Sequence, residues 1–184
     1  MGLYILIGIA VVLLLITAIY FNKFVSYRNR IKNAWSDIDV QLKRRYSLIP
    51  NLVDSVKGYA VHEKGLFENV AKYRSQAENA STIKEHEAAE NNLISALKNI
   101  LVTVENYPDL LANQNFMKLQ DSLIEVEDTI QNARRYYNAV VRDNNTAVES
   151  FPGNVFAKIF SFNTADFFEI ENIEREVIRV EIKK

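Results

Sequence analysis

Cysteine is absent from this chain, which excludes disulfides, cysteine-built zinc sites and a thiol nucleophile. Glycine and proline are scarce, at five and three in 184 residues. That scarcity argues against a loop-rich or all-β fold, favours long helices, and leaves too little glycine for a phosphate-cradling loop. Histidine occurs twice, as His62 and His86 in separate segments, a poor basis for a metal site. Charge of either sign is missing from Leu3 to Phe21.

That uncharged stretch, "LYILIGIAVVLLLITAIYF", has only Thr17, Tyr4 and Tyr20 as polar side chains. As a helix it extends about 28 Å, close to the hydrocarbon thickness of a bilayer. Tyr4 and Tyr20 fall near its ends, where amphipathic rings favour the membrane interface. No cation precedes the run, it is long for a signal peptide, and no small-residue cleavage site follows, so an uncleaved span is expected. Lys23, Arg28, Arg30 and Lys32 come after it before any acid. By the positive-inside rule they hold the following chain in the cytoplasm and send the N-terminus out. The same four cations are placed to attract anionic headgroups. The net charge of −1 conceals an asymmetry. Residues 22–64 hold nine Lys/Arg against four Asp/Glu, and the remainder holds thirteen against nineteen.

Neither glycine nor proline occurs from Ala10 to Ile49, so the apolar helix is expected to run on. Ile31, Ala34, Trp35, Ile38, Leu42, Tyr46 and Ile49 recur at intervals of three and four, the signature of an amphipathic helix. The phase is kept beyond Pro50 by Val53, Val56 and Ala60. Ile49 is a poor cap for a new helix, so the pattern predicts one kinked helix ending near His62. A second helix is predicted over about 66–80. A third follows a capping box at Thr82 and Glu85 and ends at Tyr107-Pro108.

The fourth segment, Asn115 to Glu149, is the most regular. Phe116, Leu119, Leu123, Val126, Ile130, Ala133, Tyr137, Val140, Asn144 and Ala147 recur at near-heptad spacing. Its outer face carries Asp121, Glu125 and Asp128. Six of the ten phenylalanines then cluster between Phe151 and Phe168, around a Pro152-Gly153 turn with Asn154 as the cap of a short helix. That cluster suits closure of a bundle end or a surface meeting lipid or another subunit. Ile178, Val180 and Ile182 alternate as in a strand. The expectation is an all-α fold: a transmembrane anchor over 1–22, an antiparallel bundle of long helices over 23–170, and a tail over 171–184.

"RNRIKNAWSDIDVQLKRRYSLIPNLVDSVKGYAVHE", Arg28 to Glu63, followed by "RRYYN" at Arg134 to Asn138 and "FPGNVFAKIFSF" at Phe151 to Phe162, resembles the LemA family of bacterial membrane proteins. The motif positions here are Trp35, Asp39, Arg44, Pro50, Asn51, Tyr59, His62, Glu63, Tyr137, Asn138, Phe151, Pro152, Asn154 and Phe160. Ser47 stands where the family usually has Asp, and Ser161 where it usually has Gly between two phenylalanines. The resemblance implies a helical bundle behind one membrane span and no catalytic activity.

The acid pair Glu125 and Asp128 resembles any solvated helix face, with no convergent nucleophile or oxyanion donor, so no catalytic residue is assigned. No metal or cofactor is expected. Lys43-Arg44-Arg45 belongs to no nucleic-acid-binding module, so no nucleic acid is expected either. Asp39, Arg45, Asn51, Arg134, Asn138 and Asn144 lie beside apolar stripes and are read as a polar network joining the first and fourth helices. The functional expectation is a non-enzymatic scaffold at the bacterial inner membrane that associates with itself. An adaptor or sensor binding a membrane protease or signalling kinase is the alternative. The expected partners are the bilayer, further copies of the chain and other membrane proteins.

Overall fold

The computed structural model describes residues 1–60 and 62–170. The chain is all-α: α1 Gly2–Lys57, α2 Lys64–Glu78, α3 Ile83–Val104, α4 Pro108–Leu111, α5 Gln114–Glu149 and α6 Gly153–Ile159. No strand occurs among the described residues, and the alternating tail at 178–182 lies outside them. Two compact units divide the chain. One comprises Met1–Asp37 with Arg134–Phe167, and the other comprises Ile38–Ala133 with the described residues from Phe168 on.

Helix α1 continues through Pro50, as the unbroken apolar phase predicts. In the second unit its Ile38, Leu42, Tyr46, Ile49, Val53 and Val56 are all buried. Each such side chain contributes about 1.5–3 kcal/mol of burial, which together outweighs the roughly 3 kcal/mol cost of an interior proline. The helix ends earlier than predicted. Its last residue is Lys57, just before Gly58, so His62 sits in the connection and not in a helical last turn. Helix α2 buries Phe67, Val70 and Ala77, and Leu66 is half-buried.

The capping box at α3 forms as its spacing predicts. Thr82 Oγ1 accepts from the Glu85 N–H at 3.2 Å, and the Glu85 carboxylate accepts from the Ser81 and Thr82 N–H groups at 2.8 and 3.1 Å. Those backbone donors hold the exposed Glu85 carboxyl below its usual pKa. The one-turn α4, which begins on Pro108, was not foreseen. Asn113 then caps α5, its Oδ1 accepting from the Asn115 and Phe116 N–H groups at 2.9 and 3.3 Å.

The core of the second unit contains charge. Arg45 on α1 is 2% exposed and Glu90 on α3 is 0% exposed, so both ions have left water. They form an ion pair, and Arg45 Nη1 also donates to Glu127 Oε2 on α5 at 2.7 Å. The Tyr46 hydroxyl, one residue along, donates to the Glu90 carboxylate. The polar network therefore does join α1 to α5 through Arg45, but its centre is Glu90. Asp39 instead pairs with Lys43 on its own helix at 2.6 Å, and Asn51 is exposed. Glu90 lies three residues before Leu93, so the apolar phase of α3 traced backwards passes through it.

Burying a charge costs several kcal/mol, offset only while its partner stays in place. Arg45→Ala therefore strands Glu90 and is expected to lower stability by about 3–5 kcal/mol. Arg45→Met combined with Glu90→Leu is expected to recover most of that loss, read by thermal unfolding of the full chain in mild detergent. Burial raises the Tyr46 pKa from 10.0 to about 12, against the opposing pull of Arg45. The unfolded chain thus loses this proton first. The contribution is complete below pH 10 and disappears as pH rises to about 12. Tyr46→Phe is expected to flatten this alkaline limb in a melting series against pH.

Candidate functional site, an apolar helix and its aromatic collar

The first unit begins with the longest exposed apolar surface in the described chain. Leu3, Ile5, Leu6, Leu13, Leu14 and Ile19 are each more than half exposed, and none of the most apolar 18-residue window is buried. The backbone groups along the run bond within the helix, and the Thr17 hydroxyl donates to the Leu13 carbonyl at 2.8 Å. Between Tyr4 and Tyr20 nothing polar therefore requires water. Helix α1 is long and apolar enough to cross a membrane. Tyr4 is exposed near one end of the run, and Tyr20 is half-buried at the other.

Burial begins where the apolar run ends. Phe156 of α6 stacks on Tyr20 with ring centroids 5.0 Å apart, and Phe160 meets Phe21 edge-on at 5.1 Å. Phe162 reaches both Phe21 at 5.9 Å and Phe24 at 5.1 Å, leaving Phe24 fully buried. The Arg28 guanidinium lies 5.8 Å from the Phe162 ring. Three phenylalanines of the cluster thus form a collar on α1 beside the last turn of its apolar run. Phe151 is 83% exposed and takes no part in it.

The Phe151-Pro152 peptide is cis, and Gly153 passes so close to the Ala147 carbonyl that a Cβ there would collide with it. Pro152, and not Asn154 as the sequence suggests, occupies the N-cap of α6, and no side chain caps it. At the other end the Phe162 N–H donates to the Ala157 carbonyl at 2.9 Å, and Ser161 adopts φ 58°. This is a Schellman-type ending, in which the left-handed position favours glycine.

The segment after α6 is strapped to α5. The Tyr137 hydroxyl donates to the Asp166 carbonyl at 2.9 Å, and Asn144 Nδ2 donates to the Asn163 carbonyl at 3.2 Å. Asn145 exchanges two bonds with the Ala165 backbone, at 2.9 and 2.8 Å. Trp35 packs edge-on against Tyr137 with centroids 5.7 Å apart, and Asn138 is half-buried. Asn145 was missed in the sequence because it lies one residue off the apolar stripe.

The remaining motif residues do not converge. Lys23, Arg30 and Lys32 are exposed, and Arg44 pairs with Glu125 at 3.4 Å, both largely exposed. Pro50 is half-buried, and the Tyr59 hydroxyl accepts from Asn113 Nδ2 at 3.3 Å. His62 and Asn154 are exposed, and Glu63 is the N-cap of α2 without a side-chain capping bond. Burial lowers the His86 pKa, which keeps that ring neutral at pH 7. Among the described residues no three metal-ligating side chains come together. The collar itself is open to test at Ser161: Ser161→Gly removes the left-handed penalty and is expected to stabilise the chain by about 1 kcal/mol in thermal unfolding.

Comparison with known proteins bears on the same residues. The profile of the LemA family matches residues 34–182. Protein LemA of Metamycoplasma hominis is 27% identical over 155 residues, covering 84% of this chain and 71% of that protein. Magnetosome protein MamQ 2 of Paramagnetospirillum magneticum is 24% identical over 175 residues, covering 81% of this chain. MamQ of Magnetospirillum gryphiswaldense is 23% identical over 174 residues, covering 80%. The aligned region spans 64% of each MamQ protein, less than two thirds of its length. The uncovered apolar helix and the match across the bundle residues agree on a membrane-associated protein, and the chain belongs to the LemA family.

Proposed function

We propose that this chain is a non-enzymatic scaffold, anchored in a bacterial inner membrane by Leu3 to Phe21, whose copies associate and display their helices on the cytoplasmic side. The observation that carries the reading is the apolar helix, uncovered among the described residues, ending at the collar and followed by Lys23, Arg28, Arg30 and Lys32. A dozen large apolar side chains transferred from water into hydrocarbon contribute on the order of tens of kcal/mol, more than the whole stability of a typical domain. Such a helix stays in lipid. The cations that directly follow it support the cytoplasmic placement.

The scaffold reading rests on how the ionisable groups are used. Arg45 pairs with Glu90 and with Glu127 inside the second unit, while Asp121, Glu125 and Asp128 of α5 lie on an exposed acidic face. Groups committed to one another hold helices in register and are not offered to a substrate.

The expected outcome is a species larger than one chain by light scattering in mild detergent, with affinity purification recovering mainly the chain itself. A strict monomer overturns self-association, and a stoichiometric second protein assigns the adaptor role instead. The native chain lacks cysteine, so single cysteines at Gly2 and at Asn154 report topology. A membrane-impermeant thiol reagent added to intact cells is expected to label the first and spare the second.

A further inference from the structure

Beside the collar, within the first unit, is an open cavity of about 340 Å3 between α1 and the end of α5. Tyr20, Lys23, Arg142, Thr146, Ser150 and Phe151 line it, with Asp143 also at its wall. The two cations come from different helices. Among the described residues neither has an ion-pair partner, while the Lys23 ammonium lies 5.8 Å from the Tyr27 ring on the same wall. Two hydroxyls, Thr146 and Ser150, stand one turn apart on the α5 side.

The depth of this cavity decides what it takes. The apolar run stops at Phe21, and Tyr20 and Tyr27 both line the cavity wall. Those two residues lie about 10 Å apart along the helix axis. The headgroup layer of a bilayer is about 5–8 Å deep on each side. The opening therefore runs from the hydrocarbon edge through the headgroups. Phe151, 83% exposed, stands at its rim as an apolar surface.

We infer that this cavity binds one glycerophospholipid. Its phosphate lies between Lys23 and Arg142, with Thr146 and Ser150 as further donors. Asp143 accepts from a headgroup bearing N–H or O–H groups, as in phosphatidylethanolamine or phosphatidylglycerol. Phe151 lies along the start of an acyl chain. The inference rests on the membrane reading above but goes further, because α5 supplies half of the site. A band of cations on α1 alone attracts any anionic surface and does not need Arg142.

The test is native mass spectrometry of the full chain released from mild detergent, with phosphatidylglycerol, phosphatidylethanolamine and phosphatidylcholine of equal acyl length. Sodium phosphate serves as the free-anion arm, and flotation with vesicles is run in parallel. One retained phosphatidylglycerol or phosphatidylethanolamine is expected, about tenfold favoured over phosphatidylcholine, with Arg142→Gln and Lys23→Gln each reducing retention about tenfold. Lys158→Gln, which removes an exposed cation of α6 outside the cavity, is expected to change nothing. Equal retention of all three lipids, or retention unaffected by Arg142→Gln in a chain with unchanged melting, overturns the lipid site. Sodium phosphate displacing the lipid at equal concentration overturns it in favour of a free-anion site. Failure to float with vesicles overturns the anchor as well, whereas flotation with unselective retention removes the lipid site alone.

Discussion

An apolar helix that no other described residue of its chain covers is the constraint on which the first unit depends. From Leu3 to Ile19 the side chains point outward in every direction, and only from Tyr20 do rings from elsewhere in the chain close around α1. The exposed part is long and apolar enough to cross a membrane, and the covered part begins where the collar closes on α1. Phe156, Phe160 and Phe162 sit at that transition, where aromatic rings combine large apolar area with tolerance of a polar surrounding. Their placement depends on the α6 turn: the close approach of Gly153 to the Ala147 carbonyl at one end, and the left-handed Ser161 at the other.

In the second unit the organising feature is ionic. Arg45 reaches acids on two other helices, and Tyr46 adds a hydrogen bond to Glu90. Apolar side chains of equal volume pack a bundle core at no desolvation cost, so the buried Arg45–Glu90 pair is not there for raw stability. Its effect is geometric. An arginine fork meets two carboxylates in one arrangement only, and a shift of a helix by one residue breaks both contacts. The long amphipathic stripes of α1 and α5 tolerate such slips far better on their own, since neighbouring positions on a stripe are chemically alike.

Much of this was legible in the chain because helices are written locally. The phase of Leu42, Tyr46, Ile49, Val53 and Val56 correctly carried α1 through Pro50, since burial of that face outweighs one lost hydrogen bond. Thr82 and Glu85 form their capping box because both partners lie within one turn. The misses share a cause. Asn154 was read as a cap from its residue type, but the N-cap of α6 lies two residues earlier, at Pro152. Glu90 was passed over because "EHEAAENN" reads as a solvated polar face, and only the position of Arg45 across the core marks it as buried.

The amino-acid order alone determined the all-α character, the apolar run from Leu3 to Phe21, the charge step after it and the near-heptad phase of α5, because each depends on residues within a turn or two of one another. The tertiary structure decided which polar groups were buried, which phenylalanines ring α1 and which stay exposed, and that Lys23 and Arg142 share one cavity. Those outcomes depend on contacts between residues distant in the chain, and a pattern of intervals along one helix carries no information about what faces it.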